Sequence, residues 1–306
     1  MTQKLDKIDL RILYELDRDC RQPLSNIAKK IRKSPAYVKY HIGRLKEEQV
    51  IKAVSIIARA HAPEVYCFIK LKGSDLIQEK VLLDFLFKMP ETYRLYHCDG
   101  EFDIVSIFLV KDNNQLNAIK NRVTTNFSNI DRIFFNATAF SELYTKKYLT
   151  DAMEPERIVV SGLLRETEAF EKAVLAILQK NPFSSLLEIS TAMGVSYDRI
   201  KYLFKTAKPY AGSRLLLSEK TIRKAILFIE LTDEFDKLKE YSAFNPNVVQ
   251  IDNIIGEYNF AIFFECQAQN EIKRPIKEFL YQFKDAIGAH TKCEIINTYK
   301  YWGASV

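Results

Sequence analysis

Asn26-Ile27-Ala28-Lys29-Lys30-Ile31-Arg32-Lys33-Ser34-Pro35-Ala36-Tyr37-Val38-Lys39-Tyr40 decides the fold, because a similar pattern recurs at Glu188-Ile189-Ser190-Thr191-Ala192-Met193-Gly194-Val195-Ser196-Tyr197-Asp198-Arg199-Ile200-Lys201-Tyr202. Ser34 and Ser196 are 162 residues apart, as are Tyr40 and Tyr202. A second match, Asp99-Gly100-Glu101-Phe102-Asp103-Ile104 with Ile255-Gly256-Glu257-Tyr258-Asn259-Phe260, is offset by 156. The offset falls by six, so the second copy is shorter between the two matches, and a tandem duplication of a unit of about 150 residues is the simplest account. The full 306 residues then make two such units.

Within the first copy, Ile8, Ile12, Leu13 and Leu16 recur at helical spacing, and Arg21-Gln22-Pro23 breaks the pattern. The quoted stretch opens with a short helix over 24–31, followed by a turn at Arg32-Lys33. Ser34 then stands at an N-cap with Pro35 at the first helical position, where a missing N–H costs nothing. Val38, Ile42 and Leu45 give the third helix one apolar face. Three helices with a tight turn between the last two are a helix-turn-helix. The β-branched Val50-Ile51 and Val54-Ser55-Ile56-Ile57 suit a wing and a connecting strand.

The rest of each copy reads strand, helix, two strands about a glycine turn, helix, strand. In the first copy these lie near 65–71, 76–88, 92–98, 103–110, 113–127 and 130–140, and in the second near 222–231, 234–242, 248–255, 259–266, 271–283 and 288–299. That is the ferredoxin-like order βαββαβ. The fold class expected is α+β: a winged helix-turn-helix followed by a ferredoxin-like sandwich, the pair occurring twice. The boundaries are 1–58, 62–145, a solvated linker over 146–166, a degenerate second winged helix at 167–218, and a second sandwich over 220–306.

Charge is concentrated. From Pro23 to Lys46 there are seven cations (Lys29, Lys30, Arg32, Lys33, Lys39, Arg44, Lys46) and no carboxylate, inside a chain whose total is +6. Such a face on a helix-turn-helix points to double-stranded DNA, since displacing counterions from phosphates drives affinity without regard to sequence. The matching second stretch, Ser185 to Lys208, is only +2. With Val38, Ile42 and Leu45 turned inward, the expected DNA contacts are Lys29, Lys33, Ser34, Pro35, Ala36, Tyr37, Lys39, Tyr40, His41 and Arg44, the helix start nearest the base edges. Tyr37 and Tyr40 could equally pack on neighbouring helices.

Other chemistry has little to stand on. The five cysteines are odd in number and form no C-x-x-C pair, which speaks for reduced thiols over disulfides or zinc. His97, Cys98 and Asp99 are neighbours on an extended strand and alternate in direction, so no metal is expected there. No cofactor is expected. No P-loop, H-E-x-x-H or G-x-S-x-G appears. Neither a spanning apolar stretch nor a signal-like start is present, so the expectation is a cytoplasmic protein without a membrane partner.

These residues resemble the Lrp/AsnC (feast/famine) transcription regulators. Leu5 to Leu13 is similar to that family's opening helix, Ser34 to Leu45 with Val50-Ile51 to its recognition helix and wing, and Gly100-Glu101-Phe102-Asp103 to the turn of its RAM-type α/β domain. The resemblance implies a non-enzymatic, sequence-specific DNA-binding regulator that pairs through its α/β domains and takes an amino acid or similar small effector near the glycine turn. Carried over, the effector residues are Gly100, Glu101, Phe102 and Asp103, with Gly256, Glu257, Tyr258 and Asn259 in the second copy. A glycine turn can bring backbone N–H groups to a carboxylate, and an acidic side chain can receive an ammonium; the same glycine could simply permit a tight hairpin. Gln49 departs from the family's glycine before the wing, and Asn259 replaces the acid of Asp103. A fused chain implies an intrachain pseudodimer of the α/β domains, with further homo-oligomerisation expected. Two alternatives stay open: an enzyme like the siroheme decarboxylases, which share the architecture and would use residues such as Tyr93, Arg94 and His97, or an effector-independent DNA-binding or interaction protein.

Overall fold

The computed structural model describes residues 5–58, 63–73, 75–150, 157–161, 168–207, 210–301 and 304–305. The four sequence modules do not follow one another as separate bodies. Like pairs with like: residues 1–61 and 163–218 form one compact unit, and 62–162 with 219–306 form another.

The helical unit holds both helix-turn-helices. Its first copy contains α1 (Lys7–Arg18), α2 (Leu24–Ile31), α3 (Pro35–Glu47) and strand β1 (Ile51–Ala58). α1 begins in a capping box, Asp6 accepting from the Asp9 N–H at 2.7 Å while Asp9 accepts from the Asp6 N–H at 3.3 Å. Ser34 Oγ accepts from the Tyr37 N–H at 3.2 Å and starts α3 as its sequence predicts.

The apolar stretch after α3 supplies the expected strand. Val50 to Ala58 runs straight into one strand, β1, whose partner comes from the other copy. Burial of Val50, Ile51, Val54, Ile56 and Ile57 needs a neighbour that the first copy alone does not supply.

The α/β unit begins with β2 (Glu64–Leu71), α4 (Leu76–Lys88), β3 (Thr92–Gly100), β4 (Ile104–Leu109), α5 (Asn113–Asn126) and β5 (Ile130–Tyr144). The stretch expected as a linker is structured where it is described. Lys147–Leu149 make a 3-10 turn, and Arg157–Ser161 form β6, which pairs antiparallel with the end of β5. Lys146 and Lys147 are fully buried, the first against Glu265, the second donating to the Ser242 carbonyl at 3.1 Å. Residues 151–156 and 162–166 of that expectation lie outside the described residues.

The second copy supplies α6 (Ala169–Lys180), α7 (Leu186–Met193), α8 (Tyr197–Thr206) and β7 (Tyr210–Leu217) to the helical unit. β7 pairs antiparallel with β1, from Ile51 opposite Leu217 to Ala58 opposite Tyr210. Ser213 Oγ accepts from the Cys20 N–H at 2.9 Å, and Asp17 accepts from the Leu215 N–H at 3.0 Å, so α1 of one copy is bonded to β7 of the other.

In the α/β unit the second copy contributes β8 (Ile222–Leu231), α9 (Phe235–Phe244), β9 (Val248–Ile255), β10 (Phe260–Gln267), α10 (Lys273–Gln282), β11 (Ile287–Tyr301) and β12 (Ala304–Ser305). Each copy has the ferredoxin-like strand order, β5–β2–β4–β3 and β11–β8–β10–β9. Their edges join twice, β5 to β9 and β3 to β11, so eight strands close into a ring. The pairing expected between the two α/β domains is thus a continuous hydrogen-bonded ladder. One face of each half packs on its helices: Cys67, Ile69, Leu95 and Phe108 on α4 and α5, and Leu227, Ile251, Ile262 and Phe264 on α9 and α10.

The other face carries aromatic rings and buried charge. Arg94 is fully buried; it donates to Glu64, and its Nη2 lies 3.3 Å from Asp252 of the other copy. Asp252 also accepts from Tyr66 and, at 2.7 Å, from Gln250. Burial opposes charge on Arg94, but the two carboxylates outweigh it and keep the guanidinium protonated. All five cysteines are buried and free, as expected.

Candidate nucleic-acid interface

The exposed ridge of the first helix-turn-helix is built by α2, its turn and the first half of α3. Ser34, Pro35, Ala36, Lys39 and Tyr40 are exposed, Tyr40 at 68%. Lys29, Arg32 and Lys33 stand beside them, also exposed. Val38 and Leu45 face the core. Tyr37 is half-buried, stacked on the His41 ring with centroids 4.2 Å apart, and Lys33 Nζ lies 5.4 Å from its ring centre. Among the described residues, Lys29, Arg32 and Lys39 make no ion pair, which leaves three cations available to phosphates.

Two expected contacts belong elsewhere. His41 is 6% exposed, and its Nδ1 sits 2.8 Å from Asp9 Oδ1 on α1. Arg44 is two-thirds buried, its Nη2 donating to the same oxygen at 2.5 Å. The buried stripe of α3 is 38, 41 and 45, not 38, 42 and 45. Either set fits a helix face; the Asp9 carboxylate decides, because it gives a buried imidazole and guanidinium a partner. Burial works against the charge of Asp9, yet the bonds from His41 and Arg44 hold its carboxyl below the usual range. Two more of the seven cations are also engaged, Lys30 with Glu15 at 2.5 Å and Lys46 over the Phe183 ring at 4.0 Å.

The second helix-turn-helix keeps the frame and changes the surface. Gly194, with φ 62°, occupies the left-handed turn position that Arg32 takes at φ 56°. Ser196 Oγ caps α8, accepting from the Arg199 N–H at 3.4 Å. On the exposed ridge, Thr191 and Val195 stand where the first copy has Lys29 and Lys33, and Asp198 stands for Ala36. Glu188 replaces Asn26 and closes a capping box with Ser185 at the start of α7, whereas α2 has no side-chain cap. Hydrogen bonds from Ser185 hold the Glu188 carboxyl below its ordinary value. Arg199 places its guanidinium 4.2 Å from the ring centre of Phe170.

The glycine turns meet at one end of the strand ring. Phe102 is buried among Phe68, Phe134 and Phe228, at centroid distances of 5.0, 5.2 and 6.1 Å, and Tyr258 approaches Phe228 at 6.1 Å. These rings fill the inside of the turn region. Asp103 accepts from the Leu71 N–H at 2.7 Å and from Lys70 Nζ at 2.9 Å. Asn259 does the same work in the second copy, accepting from the Leu231 N–H at 2.8 Å and donating to the Leu231 carbonyl at 2.7 Å. Both side chains therefore hold strand ends. A Cβ on Gly100, whose φ is +141°, would collide with the Lys292 carbonyl, and one on Gly256 with the Asn136 side chain. Gly100 thereby admits the backbone of β11 from the opposite copy, whereas at Gly256 the neighbour is a side chain that can turn. Glu101 is bonded to Arg132 at 2.5 Å, and the carboxylates of Glu101 and Glu257 both raise the Arg132 guanidinium.

Of the three residues named for the enzyme alternative, Arg94 is locked in its ion pairs, Tyr93 is buried, and His97 is paired with Glu79.

Comparison with known proteins bears on both units. Residues 5–52 match a family described as winged helix-turn-helix DNA-binding. The HTH-type transcriptional regulator FL11 of Pyrococcus furiosus is 30% identical over 115 residues, which cover 37% of this chain and 76% of that protein. The regulatory protein AsnC of Haemophilus influenzae is 24% identical over 139 residues, 45% of this chain and 91% of its own length. Across nearly the whole length, the fold is similar to the crystal structure of the siroheme decarboxylase NirDL in complex with an iron-uroporphyrin III analogue. The TM-score is 0.59 at 14% identity, with 97% of this chain and 93% of that one covered. At that identity the likeness is one of fold, and it extends to the duplicated arrangement. The capped α3, the glycine turns and the relatives agree: the chain belongs to the Lrp/AsnC family of winged helix-turn-helix transcription regulators.

Proposed function

We propose that this regulator reads operator DNA through the first helix-turn-helix, with α3 in the major groove. The observation that carries the reading is the partition of its cations: Lys29, Arg32, Lys33 and Lys39 are exposed on one ridge, while Arg44 and His41 anchor α3 to α1. Pro35, Ala36 and Tyr40 face the base edges, and the ridge lysines position the helix on phosphates. The sandwiches at 62–145 and 220–306 serve as the pairing body.

The same reading includes a small zwitterionic effector at the end of the ring where the two glycine turns meet. Arg132 offers a cation to a carboxylate, and Glu101 and Glu257 offer anions to an ammonium. Asp103 and Asn259 support that end by holding its strands. A decarboxylase reading shares the fold of NirDL but would have to use an Arg94 guanidinium buried between Glu64 and Asp252.

The test is binding to the DNA upstream of its own gene at two salt concentrations, with and without a panel of amino acids. Lys39→Ala is expected to weaken binding and lower the salt slope by about 1. Glu101→Gln with Arg132→Ala is expected to abolish any amino-acid response while leaving unliganded binding intact. Absence of salt-sensitive binding to any duplex sinks the DNA reading.

A further inference from the structure

We propose that each chain reads a single half-site: α3 alone reads bases, and the pseudo-equivalent α8 does not, so one chain is a heterodimer in one polypeptide with an asymmetric footprint. The inference rests on the DNA reading above and goes further, because a regulator made of two identical subunits presents two identical readers and selects an inverted repeat.

Three independent differences between the copies support it. The first is charge. Thr191, Gly194 and Val195 replace Lys29, Arg32 and Lys33, so three of the four exposed cations on the ridge have no counterpart; only Lys39 does, in Lys201. The second is repulsion. Glu188 and Asp198 are exposed at the starts of α7 and α8, where the first copy has the neutral Asn26 and Ala36. Those helix starts are the parts of a helix-turn-helix that come closest to the DNA, and a carboxylate there opposes the phosphates. The third is engagement. Arg199, the nearest new cation, packs its guanidinium over the Phe170 ring at 4.2 Å.

The frame of α8 is nonetheless intact, with its serine cap, its left-handed turn and a buried Ile200. The β1–β7 ladder and the Asp17 and Ser213 bonds hold both helix-turn-helices in one body. The second helix-turn-helix is retained as a packing partner for the first, although Leu203 and Thr206 stand where the first copy has the bracing His41 and Arg44. Leu187, Tyr197 and Tyr202 are the large side chains left on its exposed ridge, 63%, 44% and 69% exposed.

The experiment selects duplexes from a random library with the full chain, then maps base contacts on the winner by methylation interference. Wild type is expected to show one cluster of contacted bases per chain. Tyr197→Ala/Lys201→Ala/Tyr202→Ala, all exposed positions, is expected to keep the same selected sequence with Kd within about threefold. Lys39→Ala/Tyr40→Ala is expected to lose the selected sequence. An inverted repeat that survives the α8 variant means two chains, each bound through α3, and agrees with the proposal. A second cluster of contacts from one chain, or a part of the selected sequence that disappears with the α8 variant, overturns the proposal and leaves the DNA reading standing. Failure to enrich any sequence removes both.

Discussion

Asp9 on α1 and Arg44 on α3 are joined at 2.5 Å, and the same carboxylate oxygen receives His41 at 2.8 Å. A cation that looks like a phosphate contact is thereby a brace for the reading helix. Arg44→Ala is expected to lower the stability of the helical unit by about 1–3 kcal/mol, because it leaves a buried carboxylate with one partner fewer. Thermal melting measures this. The salt slope of DNA binding should stay at its wild-type value, in contrast to Lys39→Ala, which changes the slope and not the melt. An Arg44→Ala variant with an unaltered melting curve and a reduced slope would contradict the assignment.

The same brace has a pH signature. The Asp9 carboxyl is held below its usual value in the folded chain, so its stabilisation is complete above the unfolded value of about 3.9 and is lost as pH falls through the lower folded value. Asp9→Asn is expected to melt lower at neutral pH and to lose less on further acidification. Melting curves from pH 7 down to the acid transition decide it.

Two non-glycine residues adopt left-handed backbone near the reading helix, Arg32 at φ 56° and Gln49 at φ 55°. Gln49→Gly is expected to stabilise the helical unit by about 0.5–1 kcal/mol, since the conformation costs an L-residue about that much more than it costs glycine. Arg32→Gly relieves the same strain but removes an exposed ridge cation. Its stability should rise while its DNA affinity falls, an opposition of sign readable from one melt and one titration.

Arg94 sits fully buried between Glu64 and Asp252, drawn from both copies. Arg94→Met leaves two carboxylates in the interior and is expected to cost about 3–5 kcal/mol in denaturant unfolding of the α/β unit. Adding Glu64→Gln and Asp252→Asn to that variant removes the stranded charges and should restore part of the loss. Equal stability of the single and triple variants would show that the charges are not coupled.

What the sequence reveals depends on how local the cause is. Ser34 and Ser196 act on N–H groups three residues away, and the alternation around Gly100 and Gly256 is set by adjacent strands, so the duplication and both module types are legible. The ridge of Lys29, Lys33 and Lys39 is legible for the same reason. His41 and Arg44 are misread because their partner lies 32 and 35 residues earlier. The β-branched run of β1 suits any strand, and nothing local in it names β7 as its partner. Lys146 looks solvated until Glu265, 119 residues on, is placed against it. The sequence of the glycine turns suits a ligand seat or a hairpin, and nothing local in it shows that Gly100 faces the Lys292 carbonyl across the ring.

The strand ring has a consequence for assembly. A sheet that ends on itself offers no open row of N–H and C=O groups along β3, β5, β9 or β11, the edges that a lone half would present. Strand addition, the commonest unwanted route by which sheets recruit further chains, is closed off there. Among the described residues of this unit, edges remain only on β6 and β12, and a larger assembly can also use side chains on the outer helices, where Leu76, Ile77 and Val81 of α4 and Tyr281 of α10 are exposed. An assembly through those helices would respond to point substitutions on them and be indifferent to changes in β3, β5, β9 or β11.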